Sequence, residues 1–201
     1  CKNVASKAKS ILKITHFVNH PFEINSFRQY INTCLDWERR IMQKLTSSIY
    51  TFEKLIENNF LYVDKTEYIW RLIDSAPAMY FMSRPRRFGK SLTVSTLEAV
   101  FSGKKELFKG LAIYNKSYDW KKYPVIHLDM GNCDATTPET LRKFITRLLQ
   151  DKAEEYQVSI QIQNDELASS FGALISAVSK DAPVVILVDE YDKPILNNIG
   201  N

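Results

Sequence analysis

The sequence predicts an α/β fold in which helices cover both faces of a parallel sheet. Two apolar runs and one turn predict it. Pro124-Val125-Ile126-His127-Leu128-Asp129-Met130 and Pro183-Val184-Val185-Ile186-Leu187-Val188 are short, nearly continuous hydrophobic stretches, as expected of strands buried on both faces. Between them lie segments whose apolar residues recur at helical spacing. Upstream, Gly89-Lys90-Ser91 joins a third apolar run to a further helical segment. The order strand, helix, strand, helices, strand requires right-handed crossovers and a parallel sheet.

From Tyr50 onward each element has a local cause. Phe52, Leu55 and Ile56 mark a short amphipathic helix. Phe60-Leu61-Tyr62-Val63 reads as a short strand or extended piece. After Asp64-Lys65-Thr66, Ile69, Leu72 and Ile73 share one helix face, and Pro77 ends it. Ala78-Met79-Tyr80-Phe81-Met82 is a strand candidate. A helix then starts at Lys90 with Val94, Leu97 and Phe101 on one face, closed by Gly103. Thr137 and Pro138 are N-cap and first-position signals for a helix carrying Leu141, Phe144, Ile145, Leu148 and Leu149. Leu167, Phe171, Leu174, Ile175 and Val178 mark another. The sequence stops just after the third strand, so the sheet is expected to be incomplete, with an apolar unpaired edge that aggregates.

Composition narrows the function classes. The chain has 201 residues, 45% hydrophobic and 25% charged, enough for one sizeable core. With 6 Gly and 7 Pro it is not a low-complexity chain. Cys1, Cys34 and Cys133 are far apart and make no ligand spacing with His16, His20 or His127, which excludes a zinc motif and a disulfide framework. A reducing cytoplasmic setting fits that cysteine usage. No stretch approaches the roughly 20 apolar residues of a membrane span, so no membrane partner is expected. Residues 1–41 hold 7 Lys/Arg against 3 Asp/Glu, whereas residues 42–201 hold 20 of each. The body is therefore no basic nucleic-acid platform. Residues 1–41 read as a poorly defined N-terminal extension and 42–201 as the folded unit. A short helical arm is the competing reading of the first segment.

The turn carries chemistry. Arg84-Pro85-Arg86-Arg87-Phe88-Gly89-Lys90-Ser91 matches the phosphate-binding P-loop, or Walker A, at Gly89, Lys90 and Ser91, with Arg84 at the position of the first glycine. Gly89 permits the tight turn that faces backbone N–H groups to phosphates, and the helix N-terminus at Lys90, Ser91 and Leu92 favours an anion. Lys90 brings charge to the β- and γ-phosphates, and the Ser91 hydroxyl suits Mg²⁺. For Arg84, Arg86 and Arg87, phosphate contact and plain solvation of a loop stand as equal readings. These features point to ATP, or another nucleoside triphosphate, bound with Mg²⁺. The expected architecture is a P-loop three-layer sandwich.

A second motif, Val184–Val188 followed by Asp189-Glu190-Tyr191-Asp192, lies about 100 residues downstream, in keeping with the Asp that completes such sites. Asp189 is the expected Mg²⁺ residue. Glu190 is the expected group that orients or deprotonates the attacking water, because a carboxylate accepts a proton without adding positive charge. Asp129 also ends a strand, where it either joins the Mg²⁺ shell or caps the next loop, the commoner role. His127 reads as a packed core histidine and Cys133 as an inert thiol. For Tyr62 and Lys65, contact with the nucleotide base competes with a simple helix cap by Asp64.

Taken in order, Phe52-Glu53-Lys54-Leu55-Ile56, Tyr62-Val63-Asp64-Lys65-Thr66, Phe81–Ser91, Pro124–Asp129 and Val188-Asp189-Glu190-Tyr191-Asp192-Lys193-Pro194 resemble the AAA-ATPase-like domain of bacterial proteins. In that family the Arg84 form of the loop is usual. The resemblance runs from about Tyr50 to Pro194 and implies an ATPase using ATP and Mg²⁺. Many members carry a C-terminal domain similar to PD-(D/E)xK nucleases. The implied partners are a nucleotide, further copies of the chain, and nucleic acid through such a C-terminal domain. An ATP-hydrolysing motor or switch, a nucleotide-binding assembly module with little turnover, and the ATPase part of a nucleic-acid-processing protein are the three function classes that follow.

Overall fold

The computed structural model describes residues 43–46, 48–75, 79–83, 85, 87–180 and 182–197. The chain divides into two units, Cys1–Lys44 and Leu45–Asn201, and the second carries every element described below. The expectations for residues 1–41 and for Ala78, Arg84 and Arg86 fall outside the described residues.

The first hydrophobic core gathers Phe52, Ile69, Ala99, Val100, Phe108 and Ile113. Helix α1 (Phe52–Glu57) contributes Phe52, whose ring stacks on Phe108 at 4.7 Å and meets the edge of Tyr62 at 5.0 Å. Phe60–Val63 is an extended piece, not a full strand. Helix α2 (Thr66–Asp74) buries Ile69, and helix α3 (Lys90–Phe101) buries Ala99 and Val100. Two 3-10 turns, Lys105–Phe108 and Ala112–Asn115, close this core with Phe108 and Ile113.

Helix α3 ends as Gly103 predicts. The Lys104 N–H reaches the Ala99 carbonyl (3.1 Å) and the Gly103 N–H reaches that of Val100 (3.0 Å), a Schellman closure. Gly103 has φ +71°, and a Cβ there would stand 2.9 Å from the Trp120 carbonyl, so both conformation and space require glycine.

Strand β1 (Val125–Asp129) pairs in parallel with β2 (Val185–Asp189), in register from Val125↔Val185 to Asp129↔Asp189. Between them run α4 (Pro138–Glu155) and α5 (Leu167–Val178). Thr137 caps α4 as expected. Its hydroxyl accepts the Thr140 N–H, and the Thr140 hydroxyl accepts the Thr137 N–H in return. Ile126 packs with Leu149, Ala153 and Leu174 in a second core, with Leu128 beside it. His127, on the opposite face of β1, meets α3 instead. The Tyr156 hydroxyl pins the start of β1, accepting the Val125 N–H (2.6 Å) and donating to the Val125 carbonyl (2.9 Å).

Two strand expectations need correction. Residues 79–82 form no strand, and Met79, Tyr80 and Phe81 are exposed. An apolar run becomes a strand only against a neighbour that takes up its backbone groups, and the sheet among the described residues pairs β1 with β2 alone. Strand β2 is not buried on both faces. Ile186 and Val188 are 42% and 47% exposed, although Ile126, the register partner of Ile186, is fully buried and Leu128, that of Val188, is half-buried. Among the described residues, the cover given by α4 and α5 reaches β1 and leaves that face of β2 open. A short helix, α6 (Lys193–Leu196), follows β2.

Candidate functional site

Gly89 immediately precedes α3 with φ 75° and ψ 30°, a left-handed conformation that glycine adopts at no steric cost. Its carbonyl accepts both the N–H and the hydroxyl of Thr93, at 3.0 and 2.8 Å. No side chain among the described residues caps this helix, so its first N–H groups, at Lys90, Ser91 and Leu92, are left for another acceptor. Lys90, Ser91 and Leu92 are half-buried, and Leu92 packs on the first core. Arg87 and Phe88 are exposed, and Arg87 also has positive φ, 66°.

The direction of α3 sets where this turn lies. The Tyr123 N–H, just before β1, donates to the Phe101 carbonyl at the end of α3 (2.7 Å). Glu98 Oε2, earlier in α3, meets His127 Nδ1, later in β1, at 3.0 Å. The helix therefore runs antiparallel to the strand. From Glu98 back to Lys90 it rises about 12 Å. From His127 to Asp129 the strand advances only about 7 Å. The start of α3 thus overhangs the carboxyl ends of the sheet. Phe81, on the segment entering the loop, lies against Tyr191, just past β2, with ring centroids 5.7 Å apart. Both sequence motifs are brought to one end of the sheet.

At that end Asp189 is 7% exposed. Its Oδ1 accepts the Glu190 N–H (2.9 Å), and its carbonyl accepts the Met130 N–H (3.0 Å). Glu190 adopts φ 52°, left-handed for a residue with a Cβ. Asp129 stands beside Asp189 in register, exposed, and its Oδ1 accepts the Gly131 N–H (2.7 Å). That is the loop-capping geometry weighed for it. Neither Lys90 nor Glu190 takes part in an ion pair among the described residues.

His127 packs between β1 and α3. Its hydrogen bond to Glu98 holds that carboxyl below the ordinary carboxylate range, against the opposing effect of burial. Cys133 is fully buried and unpaired in any disulfide. Before α2, the Asp64 carboxylate accepts the Thr66 N–H (2.8 Å) and hydroxyl (2.7 Å) through Oδ1, and the Ala112 N–H (2.8 Å) through Oδ2. The Thr66 hydroxyl accepts the Ile113 N–H (3.1 Å). Asp64 therefore fastens the start of α2 to the turn at Ala112. Tyr62 is half-buried against Phe52, and Lys65 is exposed.

Residues that sequence reasoning passed over lie just past β2. The Lys193 ammonium donates to the Gly131 carbonyl, and the Asn197 amide donates to that of Cys133 (3.0 Å). Asp192 Oδ1 is buried and meets no donor among the described residues. The string Asp192-Lys193-Pro194 was visible, but its partners lie about 60 residues upstream in the loop after β1.

The donor set also decides which cation fits. Among the described residues no group of three His, Cys, Asp or Glu gathers to hold a metal by itself. The oxygens of Ser91 and Asp189 are hard donors, and Mg²⁺ takes one or two carboxylates, with waters and substrate phosphates supplying the rest. The residues fit Mg²⁺ bound together with a phosphate ligand, and they do not form a dedicated metal cage. No helix among the described residues is long and apolar enough to cross a membrane.

A family model described as AAA-ATPase-like, predicted AAA-ATPase, matches residues 46–201. A protein of Azotobacter chroococcum mcd 1, described as an uncharacterized protein in the vnfD 5' region, is 39% identical over 161 residues. The match covers 78% of this chain and 30% of that relative, so the chain spans under a third of the relative's length. No solved structure matches the chain.

Proposed function

The chain belongs to the AAA-ATPase-like family of predicted AAA-ATPases, and from that premise we propose that it binds ATP with Mg²⁺ at the Arg84–Ser91 loop and that the protein hydrolyses it. The observation that carries this reading is the shared location of the uncapped start of α3 and the Asp189-Glu190 strand end. A helix N-terminus with open N–H groups favours a phosphate, and a carboxylate pair beside it supplies a cation ligand and a base.

In this reading the backbone from Phe88 to Leu92 and the Lys90 ammonium cradle the phosphates, while Arg84, Arg86 and Arg87 add charge along the loop. Ser91 and Asp189 would hold the cation, which would offset the negative charge of the phosphates. Glu190 accepts a proton from the attacking water, and the left-handed turn at Glu190 sets the direction of its carboxylate. Residues 42–201 act as the N-terminal part of a P-loop domain with a three-layer sandwich. The two faces of β1, one toward α3 and one toward α4 and α5, support that architecture. Assembly with further copies, a cytoplasmic setting, and contact with nucleic acid through a C-terminal domain complete the proposal for the whole protein.

Phosphate release and nucleotide binding by the full-length protein test it. Lys90→Ala is expected to weaken ATP binding at least about tenfold, and Glu190→Gln to keep binding while lowering release by about a hundredfold. Equal release by wild type and Glu190→Gln removes the base assignment. Unchanged affinity in Lys90→Ala moves the binding site elsewhere. Tight binding with no release by wild type selects the assembly-module reading.

A further inference from the structure

We propose that Lys193 is a positioning residue that clamps the two strand-end loops together and thereby holds Glu190 in its working conformation. This deepens the ATPase reading and rests on it. Lys193, four positions past Asp189, has the charge that a phosphate ligand would need. Its surroundings point elsewhere. The ammonium is engaged by the Gly131 carbonyl, with the Asp134 carboxylate 3.9 Å away.

The same residue grips at its other end. The Lys193 N–H donates to the Glu190 carbonyl at 3.0 Å and closes the turn in which Glu190 takes φ 52°. A residue with a Cβ persists in that region only when its surroundings over-determine it. Here the surroundings are a row of ties between the loop after β1 and the segment after β2. The Met130 N–H meets the Asp189 carbonyl, Lys193 meets Gly131, and the Asn197 amide meets the Cys133 carbonyl. Lys193 is the charged member of that row, and it alone also bonds Glu190 through its backbone. Without its side-chain tie, the turn is free to relax toward the right-handed region. The Glu190 carboxylate, which has no ion pair among the described residues to hold it, then swings with the backbone.

The test compares wild type, Lys193→Met, Lys193→Arg, Glu190→Gln and the double variant Lys193→Met/Glu190→Gln in the full-length protein. Readouts are ATP affinity, phosphate release at saturating ATP, and amide hydrogen exchange. Lys193→Met is expected to keep ATP affinity within about twofold and lower release by about tenfold or more. Lys193→Arg, which keeps a donor, restores most of the rate. The double variant is expected to be no slower than Glu190→Gln, because Lys193 acts through Glu190. Exchange in Lys193→Met rises over residues 129–134 and 189–197 and is unchanged elsewhere. Release by Lys193→Met equal to wild type overturns the clamp and leaves the ATPase reading standing. A parallel loss of ATP affinity in Lys193→Met, or a double variant slower than Glu190→Gln, also overturns it. If wild type releases no phosphate, the ATPase reading fails, and exchange decides the clamp: a rise confined to the two segments sustains it, and no change removes it.

Discussion

Glu98 Oε2 on α3 and His127 Nδ1 on β1 stand 3.0 Å apart, and this contact ties the helix that begins at Gly89 to the strand that ends at Asp129. The hydrogen bond from His127 is the largest influence on the Glu98 carboxyl and lowers its pKa, with smaller attractions from His127, Lys152 and Lys104 and an opposing effect of burial. A depressed carboxyl pKa means that the folded state prefers the ionised form. Its contribution to stability is therefore full above the ordinary carboxylate range and is lost as pH falls through the lowered value. Urea unfolding at descending pH is expected to show a steeper acid loss for wild type than for Glu98→Gln. Parallel curves would show that the pair contributes nothing to the acid response.

Asp64 and Thr66 predict a different kind of loss. Thr66 is fully buried, and its hydroxyl donates to Asp64 while accepting the Ile113 N–H. Thr66→Val keeps the shape and strands the buried Ile113 N–H, so it is expected to cost about 1–3 kcal/mol of unfolding free energy. ATP affinity should remain at the wild-type value, because the network serves the packing of α2 on the Ala112 turn. A variant that melts normally but binds ATP poorly would restore the base-contact reading for this segment.

These cases show what the sequence makes legible. Helices α3, α4 and α5 were legible because their causes are local: spacing of apolar residues, Thr137 with Pro138 at one end, Gly103 at another. The two paired strands were legible as apolar runs. Non-local facts were not. Met79–Met82 has the composition of a strand, but strand formation depends on a neighbour. Ile186 and Val188 have the composition of buried residues, but their cover depends on where α4 and α5 come to rest. At the candidate site, a tight turn at Gly89 was expected from its residue type, whereas the left-handed Glu190 was not, because nothing in a glutamate announces it. The partners of Asp64 and Lys193 lie about 50 and 60 residues away in sequence, beyond any pattern of spacing.

The open face of β2 bears on solution behaviour. Ile186 and Val188 present an apolar stripe, and Ile195 and Leu196 are exposed as well. Exposed apolar strand surface favours self-association. The 201-residue chain is expected to associate as concentration rises, and Ile186→Thr with Val188→Thr to shift light scattering toward the monomer. A wild-type chain that stays monomeric would remove this surface from consideration.

Gly89 separates conformation from contact. A Cβ at this position meets nothing within 4 Å, so Gly89→Ala introduces no clash. The remaining cost is that of a left-handed alanine at φ 75°, roughly 1–2 kcal/mol. The variant is expected to lower the unfolding free energy by about that amount or to rotate the turn and weaken ATP binding, since the first amides of α3 follow the turn. If both stability and affinity are unchanged, the left-handed turn is not needed for either.

Asp189 tests the cation. Its Oδ1 accepts the Glu190 N–H, and its burial keeps the group in place. Asn in its place retains an oxygen for that N–H and removes the charge, so the strand end should keep its shape. Wild type is expected to bind ATP more tightly with Mg²⁺ than with a chelator present. Asp189→Asn should lose about tenfold or more of that Mg²⁺-dependent gain and bind metal-free ATP as wild type does. The comparison is informative because a general weakening would lower both affinities together. An Asp189→Asn protein that keeps the full Mg²⁺ gain would show that the cation is held elsewhere, with Asp129 and Asp192 as the next carboxylates to replace, since one stands beside Asp189 in register and the other buries an oxygen that meets no donor among the described residues.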